Sequence, residues 1–123
     1  KNYDVNSKDS SGRTPLHLAV VNGNLNIIRT LVEAGANINL QDGDGKTPLF
    51  KSVECNHDDL VQFFLFAGAD PQLADYENGN TPLHLALSSG SIRAAQYLLR
   101  NSNKLDVNKR NNVSLMIDGE GNS

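Results

Sequence analysis

Apolar residues along this chain fall into short groups at helical spacing, each closed by glycine or asparagine and separated by turns rich in Asp, Gly and Ser. Leu16, Ala19 and Val20 mark the inward side of a first short helix, with Leu18 beside them, and Asn22-Gly23 ends it with residues that tolerate the left-handed conformation. Leu25, Ile28, Leu31 and Val32 recur at three-to-four spacing and share one face of a second helix, which Gly35 stops. The plan then returns. Asp42-Gly43-Asp44-Gly45 forms a turn, a helix runs from Pro48 to about Cys55, Asn56 takes the glycine slot, and a helix from about Asp58 to Ala67 closes at Gly68. A third unit begins at Asp75 with a turn one residue longer, followed by a helix from Pro82 to Ser89, then Gly90, then a helix from Ile92 to about Asn101.

The grouping is a repeat. Thr14-Pro15-Leu16-His17-Leu18-Ala19 returns as Thr81-Pro82-Leu83-His84-Leu85-Ala86, and between them Thr47-Pro48-Leu49-Phe50-Lys51-Ser52 keeps the first three letters, at steps of 33 and 34 residues. Such a period signals stacked supersecondary units. Threonine at a helix N-cap accepts from an orphan amide, and proline at the next position loses an N–H that had no partner, so each copy starts a helix. The period divides the chain into the end of a preceding repeat or an N-terminal cap at 1–8, repeats at 9–41, 42–74 and 75–108, and an irregular segment with the start of a fourth repeat at 109–123. Asp4-Val5-Asn6 recurs as Asn37-Ile38-Asn39 and, after a two-residue insertion, as Asp106-Val107-Asn108. Val113 to Ile117 has no counterpart, and Asp118-Gly119-Glu120-Gly121-Asn122-Ser123 mirrors Asp42-Gly43-Asp44-Gly45-Lys46-Thr47.

This pattern resembles the ankyrin-repeat family over roughly Asp4 to Asn108. The resemblance implies an all-α solenoid of stacked helix-turn-helix units, with β-hairpin loops projecting as fingers and short inner helices lining a concave groove. Phe50, Lys51 and Ser52 depart from the His-Leu-Ala of the family pattern, which puts the regularity of the middle inner helix in question.

Composition adds bounds. One cysteine in 123 residues leaves no internal disulfide framework. No apolar run approaches the roughly 20 residues that span a bilayer, and no charged-then-apolar leader opens the chain. The expectation is an intracellular setting, nuclear or cytoplasmic, away from membranes. The chain opens on Lys1 rather than Met, which suggests a piece of a longer protein. A formal charge of −3 argues against nucleic acid as partner, because that needs a dense Lys/Arg footprint.

Chemistry has little to work with. His17 and His84 hold the same repeat position, where the resemblance implies an imidazole tying a helix to the neighbouring loop. Cys55 and His57 lack the further groups a nucleophile–base pair needs, no Cys/His cluster suits a metal, and Asp42-Gly43-Asp44-Gly45 lacks the downstream bidentate Glu of a calcium loop. The reading is no enzyme, no cofactor and no metal. What remains is surface. Arg13, Asn22, Asp44, Lys46, Glu54, Tyr76, Glu77, Asn80 and Ser88 are the candidate partner contacts on fingers and inner helices. Asp42, Asp44, Asp75, Glu77, Asp118 and Glu120 line one edge, where the first and third either face a partner or merely cap turns. Phe63, Phe66 and Tyr97 fall off the core stripe of the outer helices, as an exposed aromatic patch for self-association or for flanking sequence to cover. The resemblance also implies that asparagine before a finger can be hydroxylated, with Asn39, eight residues after Leu31, ranking above Asn108. The expected function is a non-catalytic protein–protein interaction module within a larger regulatory or scaffold protein. Its groove would take a basic, extended segment, of the histone-tail type that the resemblance implies. The alternative is spacer repeats within a larger enzyme or a chromatin or signalling complex.

Overall fold

The computed structural model describes the backbone of residues 4–109 and side chains as far as Asn101. Among the described residues six helices follow one another as three pairs: α1 (Pro15–Asn22) with α2 (Leu25–Glu33), α3 (Pro48–Glu54) with α4 (Asp58–Phe66), and α5 (Pro82–Ser89) with α6 (Ile92–Lys109). Each inner helix starts for the reason the sequence offers. Thr14, Thr47 and Thr81 accept through Oγ1 from the amides of His17, Phe50 and His84, and Pro15, Pro48 and Pro82 follow each cap. Gly23 and Gly90 end α1 and α5 in the left-handed conformation; after α3 that conformation falls to Asn56 at φ 60°. Gly23 has a second reason to lack a side chain, because a Cβ there would press against the His57 ring at 3.0 Å.

The inner helices pack in a row, α1 on α3 and α3 on α5, while each outer helix packs on its own inner partner and α6 lies against α4. Leu16, Val20, Ile28, Leu49, Val53, Leu60, Val61, Phe64 and Leu98 form one core running the length of the stack. The middle inner helix is regular despite Phe50, Lys51 and Ser52. Phe50 is buried and the Ser52 hydroxyl donates to the Leu49 carbonyl at 2.6 Å, so the polar side chain is satisfied inside the helix.

The fingers are tighter than β-hairpins. A backbone bond closes each at its base, from Asp9 N to Arg13 O, Asp42 N to Lys46 O and Asp75 N to Asn80 O, all 2.9 Å, and no β-strand occurs among the described residues.

The last outer helix departs from the expected end near Asn101. It continues to Lys109, so Asp106-Val107-Asn108 lies inside α6 and is no counterpart of the turn at Asn37-Ile38-Asn39. Gly35 and Gly68 stop α2 and α4 at φ 99° and 94°, but the next position of that series is Ser102, and neither glycine nor proline follows until Gly119. Nothing in the local chemistry breaks the helix. The segment 110–123, with Val113 to Ile117, Asp118 and Glu120, lies outside the described residues, as do residues 1–3.

Candidate functional site

The fingers are built by aspartate and locked by glycine. Asp9 Oδ1 accepts from the amides of Ser11 and Arg13, Asp42 Oδ1 from Asp44 and Lys46, and Asp75 Oδ1 from Asn78 and Asn80. Asp42 and Asp75 are buried while capping their turns, so the turn-capping alternative describes both. Neighbouring fingers are joined by one backbone bond each, Gly43 N to Ser11 O and Tyr76 N to Asp44 O, both 2.9 Å. The approach leaves no room for a side chain: a Cβ on Gly12 would lie 2.6 Å from Gly43 N, and one on Gly45 would lie 2.6 Å from Tyr76 N.

Below the fingers a second set of ties crosses each junction. Lys8 Nζ donates to Gln41 O at 3.1 Å, and 33 residues on Gln41 Nε2 donates to Ala74 O at 2.9 Å. Asn6 Oδ1 accepts from Asn37 N at 2.8 Å and Asn39 Oδ1 from Asp70 N at 2.9 Å. The recurrence of Asp4-Val5-Asn6 at Asn37-Ile38-Asn39 was the visible trace of this ladder; its third rung is Asp70-Pro71-Gln72, where Asp70 Oδ1 accepts from Gln72 N.

His17 is wholly buried. Its Nδ1 accepts from Thr14 N at 3.1 Å, which leaves the proton on Nε2, and Nε2 donates to Lys46 O at 2.8 Å across the junction. Burial depresses its pKa, against which the bond to the Lys46 carbonyl works. His84 makes the same bond to Thr81 N at 3.0 Å but is exposed.

Against this frame the candidate contacts divide. Arg13 is drawn to its own finger, with Nη2 2.9 Å from Asp9 Oδ2, and the Arg13 amide and guanidinium hold Asp9 below its ordinary pKa. Lys46 and Glu54 bind each other at 2.9 Å, and Lys51, which sequence reasoning passed over, completes the cluster at 3.1 Å from Glu54. Burial works to raise Glu54, but hydrogen bonds from both lysines outweigh it and its pKa falls; the same Glu54 bond raises Lys46. Lys46 Nζ also stands 5.8 Å over the Phe50 ring. Asn80 is half-buried in the third turn, and the Ser88 hydroxyl donates to Leu85 O. Asn22 is exposed at the end of α1.

That leaves Asp44 and Glu77 as exposed finger carboxylates in no salt bridge among the described residues, with Tyr76 between them, 67% exposed. Leu18, Val21 and Leu87 add exposed apolar surface to the inner helices.

The outer face differs from the expected aromatic patch. Phe66 is 92% exposed, but Phe63 and Tyr97 are half-buried against the core. Phe63 lies edge-on to Phe64 and under Arg29, while Phe66 and Tyr97 border a shallow groove between α4 and α6 with Gln62, Leu65, Arg100 and Asn101. Position off the helix stripe did not mean exposure, because Phe63 is partly covered by Phe64 and Arg29, and Tyr97 packs against the core beside Arg100.

Cys55 closes α3 and is half-buried; the His57 ring is turned to Gly23 of the preceding pair. No group of three or more His, Cys, Asp or Glu suited to a metal occurs among the described residues, and no helix there is long and apolar enough to cross a membrane.

The family model for ankyrin repeats (3 copies) matches residues 1–75 and 44–111. A stretch of 33 residues is 54% identical to part of acyl-CoA-binding domain-containing protein 2 of Arabidopsis thaliana, covering 27% of this chain and 9% of that protein. With capped inner helices, bonded fingers and an unbroken core joining three helix pairs, the chain belongs to the ankyrin-repeat family, whose repeats mediate protein–protein contacts.

Proposed function

We propose that this chain binds an extended basic segment of another protein across its fingers, with Asp44 and Glu77 receiving cations and the Tyr76 ring offering its face to one of them. The observation that supports this is selective commitment. Asp9, Asp42, Glu54 and Asp75 are all occupied by neighbours, whereas Asp44 and Glu77, exposed on adjacent fingers, enter no salt bridge among the described residues; Tyr76 donates its amide to the Asp44 carbonyl and precedes Glu77 in the chain. Arg13, Lys46 and Glu54 belong to the scaffold of the site, each holding a finger or a helix in place. Glu120, a further carboxylate in the sequence pattern, lies outside the described residues.

Titration with a lysine-rich peptide and its charge-reversed counterpart tests the reading. The basic peptide binds more tightly, its affinity falls as ionic strength rises past about 0.15 M, where the Debye length is about 8 Å, and Asp44→Lys with Glu77→Lys removes the preference. Equal affinity for both peptides, or indifference to salt, overturns it.

A second reading, spacer repeats within a larger assembly, draws support from the relative in which the matching stretch is 9% of the length. Under it the double charge reversal leaves every captured partner bound.

A further inference from the structure

The described residues contain eight glycines, and seven have an amide that donates to a backbone carbonyl: Gly12 to Asp9, Gly23 to Ala19 and Val20, Gly35 to Val32, Gly43 to Ser11, Gly45 to Asp42, Gly68 to Leu65 and Gly90 to Leu87. Gly79 is the exception, with no acceptor among the described residues. The cause is the extra residue of the third finger. In the first two fingers the glycine amide reaches the carbonyl of the founding aspartate three residues back, at 2.9 Å. In the third, Asp75 and Gly79 are four apart, the closing bond spans to Asn80, and the Gly79 amide is left over at φ 68°. The residue before it is Asn78, and both are exposed at the finger tip.

We propose that Asn78 is a site of spontaneous deamidation, with water as the co-reactant and a carboxylate as the product. The Gly79 nitrogen, having lost its proton to hydroxide, attacks Asn78 Cγ; the N–C bond forms, ammonia leaves and a five-membered succinimide results. Water then opens the ring at either carbonyl, giving aspartate or isoaspartate. Glycine offers no side chain to hinder the ring, and proximity within the chain supplies the rate. The same molecule holds its own control. Asn22-Gly23 is the other Asn-Gly pair of the described residues, but its glycine amide is bound twice at 2.9 Å at the end of α1 and cannot attack without local opening. Each event adds a negative charge beside Glu77 and Tyr76, so the tip acquires with age a carboxylate that synthesis did not place there. The chemistry stands whether or not the finger binds a basic segment.

Incubating the full chain at mildly alkaline pH and mapping it by mass spectrometry, with fragmentation that separates aspartate from isoaspartate, reads the rate at each pair. Asn78 converts at least about tenfold faster than Asn22, and Asn78→Gln abolishes the signal at that finger. Deleting Glu77 brings the third finger to the length of the other two and returns the Asp75 carbonyl to the Gly79 amide; conversion at Asn78 then slows by about tenfold although the Asn-Gly pair is intact. Equal rates at Asn22 and Asn78, or an unchanged rate in the deletion variant, overturn the proposal.

Discussion

His17 and Phe50 stand 33 residues apart in the same slot of successive repeats, and they close their junctions with opposite chemistry. His17 gives the first junction a buried polar tie: its ring satisfies the Thr14 amide on one side and reaches the Lys46 carbonyl on the other. Phe50 gives the second junction burial alone, and the buried Thr47 amide, which has no imidazole beside it, donates to no acceptor among the described residues. One backbone bond joins the fingers at each junction and Lys8 and Gln41 reach equivalent carbonyls, while the first junction adds the His57 ring against Gly23 and the second the Ser91 hydroxyl donating to Asn56 Oδ1 at 3.2 Å. A polar tie demands particular geometry and one protonation state; an apolar plug tolerates both to vary. Lys46 belongs to both, since its carbonyl takes the His17 bond and its ammonium stands over Phe50.

The largest expected effect removes what the two junctions share. Leu49 is fully buried in α3, which packs on α1 and on α5, so Leu49→Ala loosens both junctions together and costs about 2–5 kcal/mol. Urea unfolding measures it, and an unchanged midpoint would contradict the packing register.

Turning the first junction into a copy of the second comes next. His17→Phe leaves the Thr14 amide without its acceptor and costs about 1–3 kcal/mol near neutral pH. The cost itself is pH-dependent. Burial depresses the folded-state pKa of His17, so below the ordinary value of 6.5 the unfolded chain binds a proton that the folded chain refuses. The stability from His17 is therefore fully present above that value and declines as pH falls toward the depressed one. As pH falls below the ordinary value of 6.5, the gap between parent and variant narrows. A gap that widens on acidification would mean the imidazole is charged in the fold.

How much of this was readable beforehand differs between fold and site. Helix starts were legible because Thr-Pro at N-cap and N1 is local chemistry, and three copies in phase fixed the register of Leu16, Leu49 and Leu83. The end of α6 lies beyond the expected one near Asn101 because Ser102 stands where Gly35 and Gly68 stop the earlier outer helices, and the echo at Asp106-Val107-Asn108 carries no stop of its own. At the site, exposure of Asp44, Tyr76 and Glu77 follows from turn geometry, but pairing does not. Whether Lys46 faces a partner or Glu54 depends on an eight-residue separation that only the finger's fold over α3 brings to 2.9 Å. Likewise the half-burial of Phe63 and Tyr97 depends on neighbours distant in sequence, Arg29 of α2 for the first and α4 for the second.

A smaller effect is expected at that same cluster. Glu54→Gln loosens the finger from α3, but the pairs are partly exposed and the cost is at most about 1 kcal/mol. The parent loses this increment on acidification through the depressed Glu54 pKa, since protonation removes the charge both lysines hold. Equal stability of parent and variant near neutral pH would make the cluster a crossing of side chains without consequence.

The smallest net change, and the one that isolates the comparison, is Phe50→His. The new imidazole sits three residues after Thr47, as His17 does after Thr14, and supplies the acceptor that the Thr47 amide lacks. Its Nε2 faces the next junction, where the Asn80 carbonyl accepts one bond from Asp75 and keeps a second lone pair, as the Lys46 carbonyl does before His17 reaches it. Against these gains stand the loss of apolar burial and of the Lys46 contact over the ring. The terms oppose each other, each of about 1–3 kcal/mol, so the net change near neutral pH is smaller than either alone. What changes is the character of the junction. A second buried imidazole makes stability fall more steeply below the ordinary value of 6.5, adding at most about 1.4 kcal/mol per pH unit to the slope. A variant of parental stability with a steeper pH slope establishes that the slot accepts either chemistry; one that loses several kcal/mol with an unchanged slope would show that the second junction is shaped for an apolar ring and has no place for the tie.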